Sequence, residues 1–413
     1  MKKSTKIVLI TAAVLTAVGM ILILISVALG GNKQYREYVR ENGEVSVVLF
    51  PHSLRLRLSA GTDGLNMNVV SDDADWEDTD EEDDWSDVDT DPDLGVSENA
   101  AAITDDRYEE EMDDDSDDEP LSVSAYVKIS DGCDRFCSYC AIPYIRGRYH
   151  SFALEVIDRE VAAHVAKGAR EIVLIAQDTG RWGQDFEEPS SLAALMGELA
   201  QRYPSTWFRV MYVQPEGITN ELLKTIADRD NICSYLDIPL QHVDKSLLRA
   251  MNRAGSREKY LALAERIRTA IPNVTLRTTL IAGFPGETED QFEELCDFVS
   301  EGLFDYIGVF AYSREEGTTA YELPGQIDED IKAERAQILR DLADASCTPR
   351  IAQRVGQEMD VLVEGIEEDG QLFGRAMCQA PDVDGETYLT EGNVGDIVRV
   401  RIADTLLYEM EAE

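Results

Sequence analysis

The sequence predicts an α/β protein in which a partial (β/α)6 barrel is followed by a small all-β barrel. From Leu121 onward, buried-strand patterns alternate with helical patterns, which favours a parallel sheet with right-handed crossovers. After about residue 350, the pattern changes to short apolar and polar alternations between Gly and Asp turns, which is typical of a small barrel. The 413 residues are enough for two or three domains. We place the first barrel at 121–349 and the second at 350–413.

Six strands and their helices are predicted for the first barrel, from the apolar periodicity of each segment. The predicted strands are Val123–Ile129, Glu171–Ala176, Trp207–Val213, Ser234–Pro239, Val274–Ala282 and Tyr306–Tyr312. The helical segments include Glu155–Lys167, Asn220–Ala227, Ser256–Thr269 and Glu289–Glu301, and a further helix, Asp328–Ser346, joins the two barrels. The strands predicted for the second barrel are Gln357–Gly365, Gln371–Ala376, Glu386–Leu389 and Asp396–Ile402.

Polar residues follow four of the predicted strands of the first barrel. A cysteine-rich loop follows strand one, Gln177–Asp178 follows strand two, Gln241–His242 follows strand four and Gly283–Glu287 follows strand five. In barrels of this kind the chemistry gathers at the carboxyl ends of the strands. The sequence therefore predicts an active site at that face.

The cysteine-rich loop carries Cys133, Cys137 and Cys140 in a C-x3-C-x2-C spacing, with Tyr139 just before the last cysteine. Three thiolates on one short loop can each ligate one iron of a cubane 4Fe-4S cluster. The fourth iron then has no protein ligand, which suits the binding and reduction of a small molecule. The alternative is a structural zinc site, which needs a fourth ligand from His150 or from a distant cysteine.

Four other cysteines are scattered along the chain, too few for a disulfide scaffold. We expect them to be ordinary core residues and the environment to be reducing. They are Cys233, Cys296, Cys347 and Cys378.

The net charge of −43 is concentrated in residues 72–119, which hold 26 acidic residues and one arginine. So charged and weakly hydrophobic a stretch cannot bury enough apolar surface to order itself. Residues 72–120 are therefore expected to form a disordered acidic linker. The role expected for this linker is solvation and spacing, and the alternative is that it loosely attracts a basic partner.

The N-terminal region contains an uncharged, apolar run of 23 residues, Ile7–Leu29. As a helix it would span roughly 34 Å, enough to cross a bilayer core. We expect a membrane-anchor-like helix in 1–31, and a signal peptide that ends near Ser26–Ala28 is the alternative. No fold is predicted for residues 32–71. The charges that flank the run do not specify its orientation. We place the catalytic region in the cytoplasm because an open iron–sulfur cluster does not survive in an oxidising compartment.

Several motifs in the region from 121 to 413 occur in the order known from one enzyme family. After the cysteine loop come Ala141–Arg148 (AIPYIRGR), Tyr235–His242 (YLDIPLQH), Leu276–Thr288 (LRTTLIAGFPGET), Tyr312-Ser313 with Gly317-Thr318, Gly374–Ala376 (GRA) and Ala380–Gly385 (APDVDG). The chain resembles the radical S-adenosylmethionine (SAM) methylthiotransferases. Within that family it is most similar to members that methylthiolate an aspartate of a small-subunit ribosomal protein.

The resemblance implies a radical SAM barrel and a TRAM-like barrel that holds the macromolecular substrate. It implies that one SAM-binding 4Fe-4S cluster cleaves a carbon–sulfur bond of SAM and releases a deoxyadenosyl radical. Cys133, Cys137 and Cys140 would hold this cluster, and the cofactor-binding residues implied are Tyr139, Gln177, Gln241, Arg277, Gly283 and Gly286. The alternatives are strand-end hydrogen bonding for Gln241, an ion pair inside the barrel for Arg277 and a tight turn for the two glycines.

The charge of the second barrel bears on the substrate. Residues 350–413 contain 15 acidic residues and five arginines, with no lysine, for a net charge of −10. A domain that grips tRNA should present Lys and Arg to phosphates, whereas an acidic face complements a basic protein. We therefore expect a basic small-subunit ribosomal protein as substrate and no direct nucleic acid binding. The chemistry also implies an electron donor of the flavodoxin or ferredoxin type.

The chain departs from the family before Cys133, its first cysteine. Family members carry an N-terminal domain with three further cysteines, which hold a second cluster implicated in sulfur supply. We expect this chain to bind one cluster and to cleave SAM, with complete sulfur insertion in doubt. Two alternatives stay open: a tRNA-modifying relative, and a membrane-tethered binding protein that has lost the reaction.

Overall fold

The computed structural model describes residues 44–50, 54–61, 64–70 and 123–413. The chain divides into two units, Met1–Gly95 and Val96–Glu413. Within the described residues, no helix combines the length and the apolar composition that a membrane span requires. The predicted anchor at 7–29 and the predicted linker at 72–120 both lie outside those residues.

The first unit contains a three-stranded antiparallel sheet in the order β1-β2-β3. Its pairing between β1 and β2 shifts by one residue between Val48 and Phe50. The sheet falls within residues 32–71, for which no fold was predicted. The strands are β1 Glu44–Phe50, β2 Leu54–Gly61 and β3 Gly64–Val70.

The described residues of the second unit include six parallel strands, and each strand lies beside the next of the six along the chain. They form two three-stranded sheets, β4-β7-β8 and β9-β10-β11, and a parallel bridge between Phe208 and Ile232 connects the two. The strands are β4 Ser124–Lys128, β7 Glu171–Ile175, β8 Trp207–Val210, β9 Tyr235–Asp237, β10 Thr275–Ala282 and β11 Tyr306–Ala311. A short antiparallel pair, β5 Ser130–Asp131 and β6 His150–Ser151, flanks the cysteine loop. The predicted α/β alternation is confirmed.

Helices alternate with these strands, and polar side chains begin several of them. Ser191, Thr219, Asp244, Ser256 and Thr288 each accept a hydrogen bond from a backbone N–H in the first helical turn, which satisfies a donor that the helix itself leaves free. The helices are α1 Ile142–Ile145, α2 Leu154–Ala166, α3 Leu192–Arg202, α4 Asn220–Ala227, α5 Lys245–Ala250, α6 Arg257–Ala270, α7 Glu289–Ser300 and α8 Glu329–Ala352.

The C-terminal residues form a closed barrel with the strand order β12-β13-β14-β16-β15. The strands are β12 Glu358–Ile366, β13 Leu372–Ala376, β14 Thr387–Leu389, β15 Ile397–Leu406 and β16 Glu409–Ala412. The predicted small all-β barrel is confirmed. The last strand, which was not predicted, pairs with both β14 and β15 and so closes the barrel.

The two faces of the parallel strands pack against different partners, because successive side chains of a strand point to opposite sides. On β7, Ile172 and Leu174 pack into the core shared with the helices. Val173, between them, packs into a second core built largely from the C-terminal barrel. The C-terminal barrel therefore covers the face of the strands that turns away from the helices.

Buried charges also fasten the C-terminal barrel to the strands. Glu171, the first residue of β7, accepts hydrogen bonds from Arg209 at 2.8 Å and from Arg375 of β13 at 2.5 Å. Arg375 also contacts Glu364 of β12 at 2.6 Å. Burial alone would raise the pKa of Glu171, but the two guanidiniums outweigh it and hold that pKa at about 2. This carboxylate therefore stays ionised between two cations.

Candidate active site

The three cysteines lie on a loop that leaves the carboxyl end of β4 through the short strand β5. Cys133 is buried, Cys137 and Cys140 are half-buried, and all three are free thiols. The N–H of Cys133 donates to the carbonyl of Gly147 at 3.2 Å, and the N–H of Cys140 donates to the carbonyl of Cys137 at 3.0 Å. Two backbone hydrogen bonds thus fix the loop at its start and at its end.

Gly132 controls how the chain enters this loop. Its φ is +70°, a left-handed conformation that disfavours side chains. A Cβ placed there would lie 2.2 Å from the carbonyl oxygen of Arg148. Only glycine fits, because the backbone of Gly147 and Arg148 passes directly over this position.

The segment Ala250–Arg253, which begins at the last residue of α5, braces the middle of the cysteine loop. Ser138 donates to two carbonyls of this bracing segment, from its N–H at 3.1 Å and from its hydroxyl at 2.8 Å. The side-chain amide of Asn252 donates to the carbonyls of the two residues before Cys137, both at 2.9 Å. Cys137 is therefore held from both sides by a segment distant in sequence.

Charge links the cysteine loop to the end of β7. Nε of Arg135 donates to Oδ2 of Asp178 at 2.5 Å. Burial raises the pKa of Asp178, although Arg135 acts in the opposite direction. Among the described residues, Oδ1 of Asp178 and Oε1 of the neighbouring Gln177 are buried and have no hydrogen-bond partner. Acceptors suited to a polar ligand therefore lie beside the cysteine loop.

The three thiols influence one another. Burial raises the pKa of Cys133 and of Cys140, and charge on neighbouring thiols raises it further. Within the described part of the chain, no three His, Cys, Asp or Glu side chains form a site for a single metal ion. A cubane cluster does not require one, because each thiolate ligates a different iron. Three soft sulfur donors on one loop fit such a cluster.

Tyr139 and Arg253 both approach Cys137. Burial raises the pKa of Tyr139, and the neighbouring Cys137 raises it further. Arg253, the last residue of the bracing segment, places NH1 3.8 Å from Sγ of Cys137. The motifs of the sequence did not single out Arg253, because it lies 116 residues from Cys137 along the chain.

Gln241 lies at the carboxyl end of β9 with a left-handed φ of +73°. It is nonetheless paired with β10: its N–H donates to the carbonyl of Thr279, and its carbonyl accepts from Ile281, both at 2.8 Å. This pairing fixes the backbone of Gln241 at the predicted face of the barrel.

His242, Glu287 and Gly283 meet behind that face. Nδ1 of His242 accepts from the N–H of Asp244 at 3.0 Å, and Nε2 lies 3.4 Å from Oε1 of Glu287. Oε2 of Glu287 accepts from the N–H of Gly283 at 2.9 Å and from Arg335 at 2.6 Å. All of these groups are buried or nearly so. The cluster therefore anchors the turn that follows β10.

The two glycines of this turn differ in their surroundings. Both have a positive φ, +76° at Gly283 and +84° at Gly286. A Cβ at Gly283 would lie 2.5 Å from the side chain of Lys332, whereas one at Gly286 would meet nothing within 4 Å. Gly283 is thus required for packing against α8, while the space over Gly286 is open.

Arg277 lies apart from the cysteine loop, near the start of β10. Its NH1 donates to Asp237 at 3.0 Å, and its Nε lies 3.4 Å from Asp384 of the C-terminal barrel. Five residues of strand, about 16 Å, separate it from Ala282 at the carboxyl end. Arg277 therefore makes the ion pair inside the barrel that is the alternative to a cofactor-binding role.

Three exposed aromatic side chains lie at the middle of a strand, near its carboxyl end or just after it. They are Tyr126 of β4, Tyr212 after β8 and Phe310 of β11, with exposures of 44%, 45% and 59%. The hydroxyl of Tyr126 donates to Asp382 of the C-terminal barrel at 2.8 Å. The next residue, Val383, is also exposed. We name these five residues the aromatic rim.

Family models match two parts of the chain. The model described as the radical SAM superfamily matches residues 127–299, and the model described as the TRAM domain matches residues 355–413. The first match lies within the strand-and-helix region, and the second contains the closed β-barrel.

Curated relatives share substantial identity with this chain. It is 45% identical over 296 residues to the ribosomal protein uS12 methylthiotransferase RimO of Geobacter sulfurreducens, covering 71% of this chain and 66% of the relative. The protein of the same name from Desulforamulus reducens is 43% identical over 297 residues, covering 71% and 67%. The one from Trichlorobacter lovleyi is 44% identical, covering 70% and 65%. The chain therefore spans about two thirds of the length of these relatives.

Solved structures resemble the chain more distantly. The radical SAM methyltransferase TsrM from Kitasatospora setae, with cobalamin and a 4Fe-4S cluster bound, has a TM-score of 0.38 at 17% identity over 45% of this chain and 34% of its own. Coproporphyrinogen III oxidase (HemN) from Escherichia coli, a radical SAM enzyme, has a TM-score of 0.40 at 17% identity over 57% and 54%. Similarity at this level carries no argument about function.

Proposed function

This chain belongs to the radical SAM methylthiotransferase family that includes the RimO proteins, and we propose that it acts on an aspartate side chain of a small-subunit ribosomal protein. The observation that carries the proposal is the braced C-x3-C-x2-C loop at the carboxyl end of β4, in a chain 45% identical to a uS12 methylthiotransferase. The six parallel strands would form the partial (β/α)6 barrel of a radical SAM domain spanning 121–349, with a TRAM-like domain at 350–413.

Cys133, Cys137 and Cys140 would hold one 4Fe-4S cluster. When bound, the cluster supplies the electron that cleaves a carbon–sulfur bond of SAM and releases a deoxyadenosyl radical. The unpartnered Oε1 of Gln177 would accept a hydrogen bond from the amino group of SAM. The open space over Gly286 would let the adenine lie against the backbone. We also propose cofactor-binding roles for Tyr139, Gln241 and Arg277.

The charge of the C-terminal barrel supports a protein substrate. Its net charge of −10 over 350–413 repels RNA and attracts a basic protein. Tyr126, which donates to Asp382, and the adjacent Val383 add exposed apolar surface next to that carboxylate. Aromatic side chains beside a carboxylate suit a basic peptide segment, because they contact its apolar stems while the carboxylate pairs with its cations. We therefore propose that such a segment docks at the rim and that tRNA does not.

An electron donor of the flavodoxin or ferredoxin type would reduce the cluster. The apolar run at 7–29 would anchor the chain to a membrane and leave the catalytic region in the cytoplasm. Because Cys133 is the first of the 413 residues able to supply a thiolate, we propose that the chain alone cleaves SAM without completing sulfur insertion.

The substrate proposal is tested by binding measurements on the reconstituted chain. Purified uS12 and total tRNA are titrated against it at low and at high salt. We expect uS12 to bind and its affinity to fall as salt screens the charge of the acidic barrel. We expect tRNA not to compete with uS12. Binding of tRNA that displaces uS12 would contradict the proposal and favour a tRNA-modifying enzyme.

Matched variants locate the docking site. Asp382→Asn removes a charge at the aromatic rim, and we expect its dissociation constant for uS12 to rise about tenfold, the loss of one charge-assisted contact. Asp404→Asn removes the same charge from an exposed position on β15 and should change the constant far less. Equal effects of the two variants would argue for a diffuse field rather than a docking site.

A further inference from the structure

Arg253 reaches the cysteine loop from a distant part of the chain. Its NH1 lies 3.8 Å from Sγ of Cys137. Its NH2 donates to the side chain of Gln214 at 2.6 Å and to the carbonyl of Pro239 at 2.5 Å. Because a guanidinium is planar and rigid, these two bonds fix the direction of the donor that faces the sulfur.

The position of Arg253 is set by several strand ends at once. Gln214 follows β8 and Pro239 follows β9, so the guanidinium is tied to the carboxyl face of two neighbouring strands. The bracing segment that carries Arg253 also holds the loop on both sides of Cys137. The cation and the sulfur are therefore held by the same backbone segments, which fixes the distance between them.

A fixed cation beside one thiolate ligand has a direct electrostatic consequence. Reduction adds one negative charge to an iron–sulfur cluster, and donors to its sulfurs favour the reduced state. An arginine does not lose its charge in proteins, so its effect persists at every working pH. Nε of Arg253 is inaccessible to solvent and has no partner among the described residues, so water screens the charge poorly.

We infer that Arg253 is a positioning residue that holds the Cys137 thiolate by a charge-assisted hydrogen bond and raises the reduction potential of the cluster. The inference rests on the proposed function, since it requires that the cysteine loop hold a cluster. Arg253 thereby sets how readily a low-potential donor can load the electron that SAM cleavage consumes.

The test compares reduction potentials of reconstituted chains. Parent, Arg253→Met, Arg253→Lys and Arg249→Met are reconstituted anaerobically, and the reduced cluster is followed by electron paramagnetic resonance during titration with dithionite. At the potential at which the parent cluster is half-reduced, we expect the ratio of reduced to oxidised cluster in Arg253→Met to be lower than in the parent, on the order of tenfold. This corresponds to a reduction potential lower by ~59 mV for one electron. Arg253→Lys keeps the charge and should stay closer to the parent. Arg249 is exposed on α5, so its variant should match the parent.

The outcomes separate this inference from the proposed function. Arg253→Met with a full complement of iron and the parental potential overturns the inference alone. If Arg253→Met assembles no cluster, Gln214→Leu decides, because it removes an acceptor that orients the guanidinium. A lowered potential in Gln214→Leu supports the inference, and an unchanged one overturns it. A parent chain that takes up no cluster overturns the proposed function and the inference together.

Discussion

At the scale of single residues, Gly132 determines whether the cysteine loop can leave β5 in its observed path. We expect Gly132→Ala to lower the free energy of unfolding by about 3 kcal/mol, from left-handed strain and a clash with backbone. Its cluster content after reconstitution should fall as well, since the clash lies one residue before Cys133. Urea unfolding and iron analysis measure the two effects.

Gly147 is the matched control for this substitution. It shares the left-handed backbone, with a φ of +78°, but a Cβ there would meet nothing within 4 Å. Gly147→Ala should therefore cost only the backbone strain, about 1 to 2 kcal/mol, and should keep its iron. If the two variants lost stability and iron equally, the close approach to Arg148 would not be what constrains the loop.

Residue-scale predictions from the sequence depend on whether a motif is local. The spacing of Cys133, Cys137 and Cys140 is visible in eight residues of sequence, and the structure places all three on one loop. The positive φ of Gln241 and the approach of Arg253 to Cys137 arise from strands that meet in space. Spacing alone does not reveal contacts of that kind.

At the scale of elements, the first residue of β7 joins the two barrels through buried charge. Glu171→Gln would leave Arg209 and Arg375 without their shared carboxylate, and we expect a loss of about 3 to 5 kcal/mol in the free energy of unfolding. Chemical denaturation at pH 7 measures it. Asp228→Asn, which removes the exposed partner of Lys224 on the surface of α4, is the control and should change stability little.

The same carboxylate predicts how stability depends on pH. The pKa of Glu171 is held at about 2 in the folded chain, below its ordinary value of 4.5. A lowered pKa contributes stability that is complete above pH 4.5 and is lost as pH falls toward 2. Unfolding measured across that range should therefore show a steeper loss in the parent than in Glu171→Gln. Identical slopes would show that this carboxylate is not the group that titrates.

The order of elements was predictable because each strand and helix carries its own apolar period. The helix α4 has the predicted bounds, Asn220–Ala227, and the six parallel strands lie within their predicted segments. The connecting helix continues through Pro349 to Ala352, beyond its predicted end at Ser346. Its later turns are buried at Cys347 and Ile351, so tertiary packing extends it past the point where local propensity favours an end.

At the scale of the whole molecule, two hydrophobic cores share the parallel strands, one with the helices and one with the C-terminal barrel. The contacts that join the barrels span long sequence separations, such as 204 residues between Glu171 and Arg375. Charge composition indicated an acidic second barrel, but not which of its charges are consumed in this interface. The exposed charges, such as that of Asp382 at the aromatic rim, are the ones left to act on a substrate.

The most direct test is the iron and acid-labile sulfide bound per chain after anaerobic reconstitution. We predict about four irons per chain, one cubane cluster. They should be lost in Cys137→Ala and kept in Cys296→Ala, which removes a half-buried thiol from α7. The reconstituted parent should convert SAM to deoxyadenosine. About eight irons per chain, or four that survive Cys137→Ala, would contradict a single SAM-cleaving cluster held by this loop.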